Sequence, residues 1–353
     1  MKLVPNTETF QSTLRCIKLW SKNRGIHSNV LGYLGGVAWA ILVARVCKDN
    51  PKMETNQLLH EFFTFYRDYE WGGDNPVTLC EIADDINIVK FEIDQELIYQ
   101  PDPKAVMPII TPAFPSMNST FNVSQSTKNV MLTEFEKAAM ITSELMNNKG
   151  CSKINWKRLF KKFPFFKAYN HFIEVQILSK NQEDHKKWFG FAEAKIKRLV
   201  KNLENLDKKN GEILEYRPYP AHFRLQNDEF PYNDAFYIGV RIKGGKIIKK
   251  ETIDLSETRR LFYDWIQDKP RANNKSVSEL LDRKDIDLRV DYRSREQLPD
   301  EVRPRGRPAV PNYNGTTAAV AGNGSVEAGN SSAQKRPDLS LFDNLVNKRR
   351  RLQ

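Results

Sequence analysis

His171-Phe-Ile-Glu-Val-Gln-Ile-Leu178 is the stretch that decides the fold class. It alternates as a strand does, and Phe172, Ile173, Val175 and Ile177 supply aromatic and β-branched bulk. Residues 184–206 then read as a strongly amphipathic helix. Its basic residues Lys186, Lys187, Lys195, Lys197, Arg198 and Lys201 interleave with Trp188, Phe191, Ile196, Leu199 and Leu203. Strands follow near residues 221–225 and 235–242, Gly244-Gly245 makes a turn, residues 246–253 read as a strand and residues 257–266 as a helix. Strand, helix, strand, strand, helix predicts an α+β sandwich, RRM-like (ferredoxin-like), of the kind that RNA-recognition modules use. Such amphipathic helices most often serve core packing, so an RNA reading needs the charge as well.

Amino-terminal to this stretch the character is helical. Phe10, Leu14, Ile17 and Leu19 fall on helical spacing, and Gly25 ends that helix. A small-residue-rich helix follows over residues 35–46, and another over 57–69 with Leu58, Leu59, Phe62, Phe63 and Phe65 on its buried side. Prolines and glycines between residues 71 and 115 leave room only for short strands. Ser126 or Thr127 caps a long helix to about residue 146, carrying Val130, Met131, Phe135, Ala138, Ala139 and Ile141. Residues 1–153 thus read as a helical domain, 154–300 as the RRM-like one and 301–353 as a disordered basic tail. In that tail Lys335-Arg336 and Lys348-Arg349-Arg350-Arg351 are separated by eleven residues, the spacing of a bipartite nuclear-import signal. A solvated basic tail with unspecific affinity for nucleic acid rests on the same charges.

Of the 353 residues, Lys and Arg number 55 against 44 Asp and Glu, a net charge of +11. That balance favours an anionic partner: nucleic acid, a nucleotide or an acidic membrane. Apolar residues at 40% and aromatics at 11% suffice for a sizeable core and exclude collagen-like, mucin-like or wholly disordered classes. The most apolar window, residues 30–46, is broken by Gly32, Gly35, Gly36 and Arg45, so no membrane partner is expected. Pro5, Asn6, Thr7 and Glu8 rule out a secretory core in the first residues. Cys16, Cys47, Cys80 and Cys151 form no close pair and read as reduced, buried thiols of an intracellular protein. The five scattered histidines assemble no metal site by spacing.

Four segments carry chemistry. Ile17-Lys-Leu-Trp20 is followed by Ile26-His-Ser-Asn29 with Gly32-Tyr-Leu-Gly-Gly-Val-Ala-Trp39, then by Met107-Pro-Ile-Ile-Thr-Pro-Ala-Phe-Pro115 and Asn118-Ser-Thr-Phe-Asn-Val-Ser124. With Trp188 and the helix to Leu203, they resemble, in unbroken order over residues 3–265, the middle and carboxy-terminal domains of eukaryotic nuclear poly(A) polymerase. The resemblance implies an enzyme that adds AMP from ATP to RNA 3′ ends in mRNA polyadenylation, with ATP, the RNA 3′ end and cleavage and polyadenylation factors as partners, in the nucleus.

The resemblance also implies site roles. The lysine of the Ile-Lys-Leu-Trp motif contacts ATP phosphates, which assigns Lys18. The Gly-Gly-Val match sets Gly36 and Val37 against the base, and Asn29 makes a polar contact. The physics is coherent, because backbone approaches phosphate closely only where side chains are absent, and Gly35-Gly36 opens a helix at its positive end. Taken alone, Lys18 is an ordinary solvated helix lysine. His27 stands where the family has a tyrosine. An imidazole can donate or accept, and it would bind phosphate more tightly if protonated.

No catalytic or metal-binding residue is assigned. In the family three aspartates hold Mg or Mn in a domain amino-terminal to the matching region. This chain is expected to lack that domain and, alone, to be inactive, most simply as a truncated product. Asp285-Ile-Asp287 with Asp291 spells an Asp-x-Asp, but among Arg283, Lys284 and Arg289 it reads as a solvated charged edge. Lys157, Arg158, Lys161 and Lys162 beside Phe163, Phe165, Phe166 and Tyr169 have the composition of an RNA-stacking surface, and equally of a core edge with a basic rim. The competing class is a non-catalytic protein that binds RNA or 3′-processing factors and competes with the full enzyme.

Overall fold

Trp20 organises the amino-terminal half of the chain. The computed structural model describes residues 3–79, 102–113, 116–147, 155–210, 213–242, 255–273, 279–280 and 285–303. All lie within one unit, Met1–Pro311. Four helices build this half: α1 (Thr7–Arg24), α2 (Gly36–Asp49), α3 (Thr55–Asp68) and α4 (Gln125–Asn147). The Trp20 ring meets Trp39 edge-on at 5.9 Å, Phe63 at 4.7 Å and Phe135 in a stack at 5.8 Å. These rings, with Phe62 and Tyr66, are fully buried, each stabilising the fold by roughly 1.5–3 kcal/mol through area removed from water.

The helices lie where the periodicity predicts, with their faces slightly turned. The buried stripe of α1 is Thr13, Cys16, Ile17, Trp20 and Ser21, while Leu14 and Leu19 stay half-buried, because the stripe centres on the bulkiest ring. In α3, Tyr66 is buried and Phe65 half-buried, since the Tyr66 hydroxyl donates to the Leu42 carbonyl at 2.9 Å. The cap of α4 is Ser124 rather than Ser126 or Thr127. Thr127 N–H donates to Ser124 Oγ at 3.3 Å, and Ser124 N–H donates to Thr127 Oγ1 at 3.0 Å. Cys16 and Cys47 are free and buried, as expected of them, and burial pushes their thiols up to about 12 and about 11. The domain boundary expected at residues 153–154 falls outside the described residues, as do Cys80, Cys151, the Gly244-Gly245 turn, the strand at 246–253 and the tail beyond residue 303.

The carboxy-terminal half is a twisted antiparallel sheet. After the single turn α5 (Phe165–Ala168) come β1 (His171–Ser179), α6 (Gln182–Glu193), α7 (Ile196–Asn210), β2 (Ile213–Pro218), β3 (Phe223–Arg224), β4 (Tyr232–Ile242), α8 (Ser256–Asn273) and β5 (Ile286–Ser294). Strand order is β2-β4-β1-β5, with β3 also on β4. Central β1 pairs with β4 from His171↔Val240 to Ser179↔Tyr232 and with β5 from His171↔Ser294 to Ser179↔Ile286. The α+β class of the sequence reading holds.

Three elements differ from expectation. The helix predicted over residues 184–206 is two helices, interrupted at Ala194-Lys195. The strands β2 and β5 were not anticipated. β5 is a regular alternation, with Ile286, Leu288 and Val290 buried and the residues between them partly solvated. β5 is an edge strand of the sheet, and its charged members Asp287, Arg289 and Asp291 form the solvated charged edge that the sequence suggests.

The two faces of the sheet are covered differently. On one, α6 and α8 are fastened through Trp188 Nε1, which donates to the Asp287 carbonyl at 3.0 Å, and the Tyr263 hydroxyl, which donates to that of Leu288. Over the other lie Phe165, Tyr169, Phe172, Phe223, Tyr237, Leu298 and Val302 in one apolar cluster, with Phe163, Phe166 and Tyr219 against it. Glu174, fully buried on β1, accepts from the Tyr237 hydroxyl at 2.7 Å and from Arg293 Nε at 2.9 Å. The chain's own aromatic residues therefore roof the face on which an RRM-like sheet could stack bases.

Candidate functional site

The turn between α1 and α2 gathers the residues singled out from sequence. Gly25 stops α1 in the left-handed region (φ 71°), and Ile26 N–H reaches back to the Ser21 carbonyl at 2.9 Å. The Ser28 carbonyl accepts from Leu31 and Tyr33 N–H, folding the segment on itself. Gly32 has φ 88°, and a Cβ there would stand 3.1 Å from the Asn122 carbonyl, so the position excludes other residues. The fold brings Asn29 against Gly35, where a Cβ would stand 3.3 Å from that of Asn29.

A Cβ on Gly36 would stand 3.8 Å from Lys18 Nζ. The lysine ammonium thus lies over a side-chain-free patch at the first turn of α2. That turn has no acidic residue and no side-chain cap, so its N–H groups and the positive end of the helix dipole remain available to an anion. Val37, 60% exposed, adds an apolar surface beside it. Lys18, Asn29, Gly36 and Val37 therefore form one cradle with a cation, donors and an apolar wall.

His27 borders this cradle. Its Nδ1 lies 2.9 Å from Ser21 Oγ, and its ring lies parallel to Trp39 at 6.5 Å. Burial, then the Lys22 and Lys18 ammonium groups, hold its pKa down to about 4. With no anion bound, the ring is neutral at physiological pH.

Two residues that sequence reasoning did not assign complete the site. Asn122 Nδ2 donates to the Asn29 carbonyl at 3.1 Å, and Asn122 Oδ1 accepts from Lys197 Nζ of α7 at 2.5 Å. Lys197 also lies over the Phe121 ring, 5.3 Å from its centroid. Nearby, Glu204 of α7 accepts from Ser124 Oγ at 2.6 Å and Ser126 N–H at 2.8 Å, adding a carboxylate to the start of α4. Asn122 belongs to a segment singled out from sequence. Its partner ninety-three positions away leaves no local signal.

The cradle is tied to the sheet. The Tyr33 hydroxyl donates to the Pro218 carbonyl at 2.9 Å, and Phe163 N–H to that of Asn23 at 2.9 Å. Glu134, fully buried on α4, accepts from Arg24 Nε at 2.5 Å and Arg217 Nη1 at 3.1 Å, and the Arg217 guanidinium lies 3.7 Å from the Phe163 ring centroid.

Other clusters are structural. Asp287 and Asp291 pair with Arg289 at 2.8 Å and Arg259 at 3.2 Å, and Lys180 stands 3.9 Å from Asp285. Among the described residues no group of three or more His, Cys, Asp or Glu could hold a metal. Ser179, His185 and Asp234 form a hydrogen-bonded row, with His185 Nδ1 2.8 Å from Ser179 Oγ and Nε2 2.7 Å from Asp234. Ser179 is fully buried, so no substrate reaches it. Phe165 and Tyr169 belong to the core, whereas Lys157, Arg158, Lys161 and Lys162 are an exposed rim. Of the two readings left open for that segment, the core edge is the one found. No helix among the described residues is long and apolar enough to cross a membrane.

Comparison with known proteins bears on the whole of this arrangement. Residues 9–162 match the family model described as "Poly(A) polymerase central domain", and residues 164–229 that described as "Poly(A) polymerase predicted RNA binding domain". The chain is 35% identical to the poly(A) polymerase of Dictyostelium discoideum over 317 residues, 87% of this chain and 36% of that protein. It is 35% identical over 263 residues to nuclear poly(A) polymerase 1 of Arabidopsis thaliana, 74% of this chain and 35% of that protein. With nuclear poly(A) polymerase 4 of the same plant it shares 34% identity over 350 residues, 97% of this chain and 44% of that protein. The chain thus spans less than half the length of these relatives. Two consecutive domain matches and relatives along nearly its full length show that the chain belongs to the poly(A) polymerase family.

Proposed function

We propose that this chain supplies the ATP-contacting and RNA-holding parts of a polynucleotide adenylyltransferase that extends RNA 3′ ends with AMP in nuclear mRNA processing. The observation that carries the reading is the Lys18 ammonium over the bare Gly36 turn. Lys18 and the first N–H groups of α2 take the ATP phosphates, which want a fixed cation and donors. Val37 offers its exposed apolar side to the base, and Asn29 adds a polar contact. His27 lines the cradle as a neutral ring. The names of the Arabidopsis relatives support the nuclear assignment.

Mg or Mn, when bound by such a polymerase, would supply activation of the attacking 3′-hydroxyl and charge neutralisation of the leaving pyrophosphate. Asp285, Asp287 and Asp291 do not fit that role, since each carboxylate faces its own cation. The described residues bring no aspartate cluster to the cradle, so we expect this chain alone to bind without transferring.

The test is titration of the purified chain with ATP and, separately, with oligo(A). Lys18→Ala should weaken ATP roughly 10- to 100-fold, the value of a charge-assisted contact, and leave oligo(A) affinity unchanged. Unaltered ATP affinity, or equal losses of both ligands, would overturn the assignment.

A further inference from the structure

We propose that Phe121, with Lys197 beside it, is a stacking platform for a base of the bound RNA, adjoining the nucleotide cradle. The inference rests on the reading of the chain as an RNA-holding part of the polymerase. Phe121 is 72% exposed, the most exposed large apolar side chain among the described residues. Most of the ring is thus open to a ligand.

The turn that carries it is held on both sides. Asn118 Oδ1 accepts from Thr120 N–H at 3.0 Å, Ser119 N–H donates to the Ile109 carbonyl at 2.9 Å, and Val123 N–H to that of Thr120 at 3.0 Å. Asn122 is fixed to Asn29 and to Lys197. The ring is presented in advance, so little ordering cost remains when a ligand arrives.

The surroundings select the class of ligand. Lys197 Nζ stands 5.3 Å from the ring centroid, where it can meet a phosphate next to a stacked base. Arg198 and Lys201, also on α7, are exposed, and Asn118, Ser119 and Asn122 give the ring polar sequence neighbours. An apolar protein partner would want an apolar rim. A nucleic acid wants an aromatic face among cations, and every base has a π-face to offer. Position completes the argument. Asn122 bridges to Asn29, Asn29 lies against Gly35, and Gly36 lies under Lys18. A base on Phe121 therefore belongs to the RNA end nearest the incoming nucleotide. The roofed sheet face makes such a platform necessary elsewhere.

The experiment compares the full chain with Phe121→Ala and Phe121→Trp, using a labelled oligo(A) and an abasic ribose-phosphate oligomer of equal length, read by anisotropy. Phe121→Ala should weaken oligo(A) about ten-fold and leave the abasic oligomer unchanged, and Phe121→Trp should bind oligo(A) at least as well as the parent. Lys197→Ala should lower the salt dependence of both probes by about one phosphate contact. Equal affinity of parent and Phe121→Ala for oligo(A) would overturn the platform and point to a protein partner, leaving the RNA-holding role intact. Equal weakening on both probes would make Phe121 a structural residue. No binding of oligo(A) by the unaltered chain would remove both readings.

Discussion

Replacing Glu134 by glutamine removes one negative charge from a place where three cations meet. Its carboxylate is fully buried and takes Arg24 at 2.5 Å, Arg217 at 3.1 Å and Lys137 at 3.2 Å. The Arg24 and Lys137 side chains are 16% and 46% exposed and can recover hydration, whereas Arg217, at 3%, cannot. What remains to Arg217 is the Arg24 carbonyl at 2.6 Å and the Phe163 ring. Leaving a buried cation without its counter-charge costs about 3–5 kcal/mol, a large share of the roughly 5–15 kcal/mol that holds a domain folded. Urea denaturation followed by tryptophan fluorescence measures this, and the midpoint should fall with the slope unchanged. The pair Glu134→Leu with Arg217→Met should recover most of the loss, since a buried ion pair often exchanges neutrally for apolar packing. Burial alone would raise the Glu134 pKa, yet Arg217, then Arg24 and Lys137, hold it below the usual range. Its stabilisation is therefore present above about pH 4.3, the ordinary glutamate value, and is lost as pH falls through the lower folded value. Glu134→Gln should flatten that acid limb. A Glu134→Gln protein within about 1 kcal/mol of the parent, far below the cost of stranding a buried cation, would refute the reasoning. So would a double variant less stable than the single one.

Two further outcomes follow from geometry and charge. A Cβ on Gly239 would stand 2.7 Å from Tyr169 Cγ, and that ring is buried with its hydroxyl bonded to Glu215. Gly239→Ala should cost about 1–3 kcal/mol through overpacking, seen as a melting temperature several degrees lower, and an unchanged melt would mean that the ring moves freely. The His27 ring should titrate near 4 by NMR, and a midpoint near its ordinary value of about 6.5 would contradict its burial. Because the unfolded chain takes up this proton first, stability should fall as pH drops from about 6.5 towards 4.

Much of this was legible because the signals are local. A glycine at a helix end, a glycine pair before a helix and the 3.6-residue stripe around Trp20 each act within a few positions. The misreadings have physical causes. Ser126 and Thr127 look like caps, but they are buried inside the first turn, and the hydroxyl that accepts from a first-turn N–H is that of Ser124. β5 keeps a clean alternation, yet its Asp287, Arg289 and Asp291 drew the reading to a solvated charged edge, and the strand that carries them was missed. β2 carries Glu215 and Arg217, charges that ordinarily face water. Here Arg217 is buried because Glu134 waits for it from another element, a pairing across 83 positions. At the candidate site, Lys18 and Gly36 were legible only through the family motifs around them, since Lys18 taken alone is an ordinary helix lysine. Asn122 and Lys197 act through contacts that exist only after the two halves have met.

The attachment of α7 has a mechanical consequence. Lys197 and Glu204 stand seven positions apart, two helical turns or about 10 Å along the axis, and both hold the same short segment, one at Asn122 and the other at Ser124 and Ser126. A single contact would act as a pivot, free to rotate. Two contacts on one rod fix a direction, so the loop keeps its angle to α7 as well as its distance. Any tilt of that helix is therefore carried as a lever stroke to Asn122, and through it to Asn29 at the lip of the cradle.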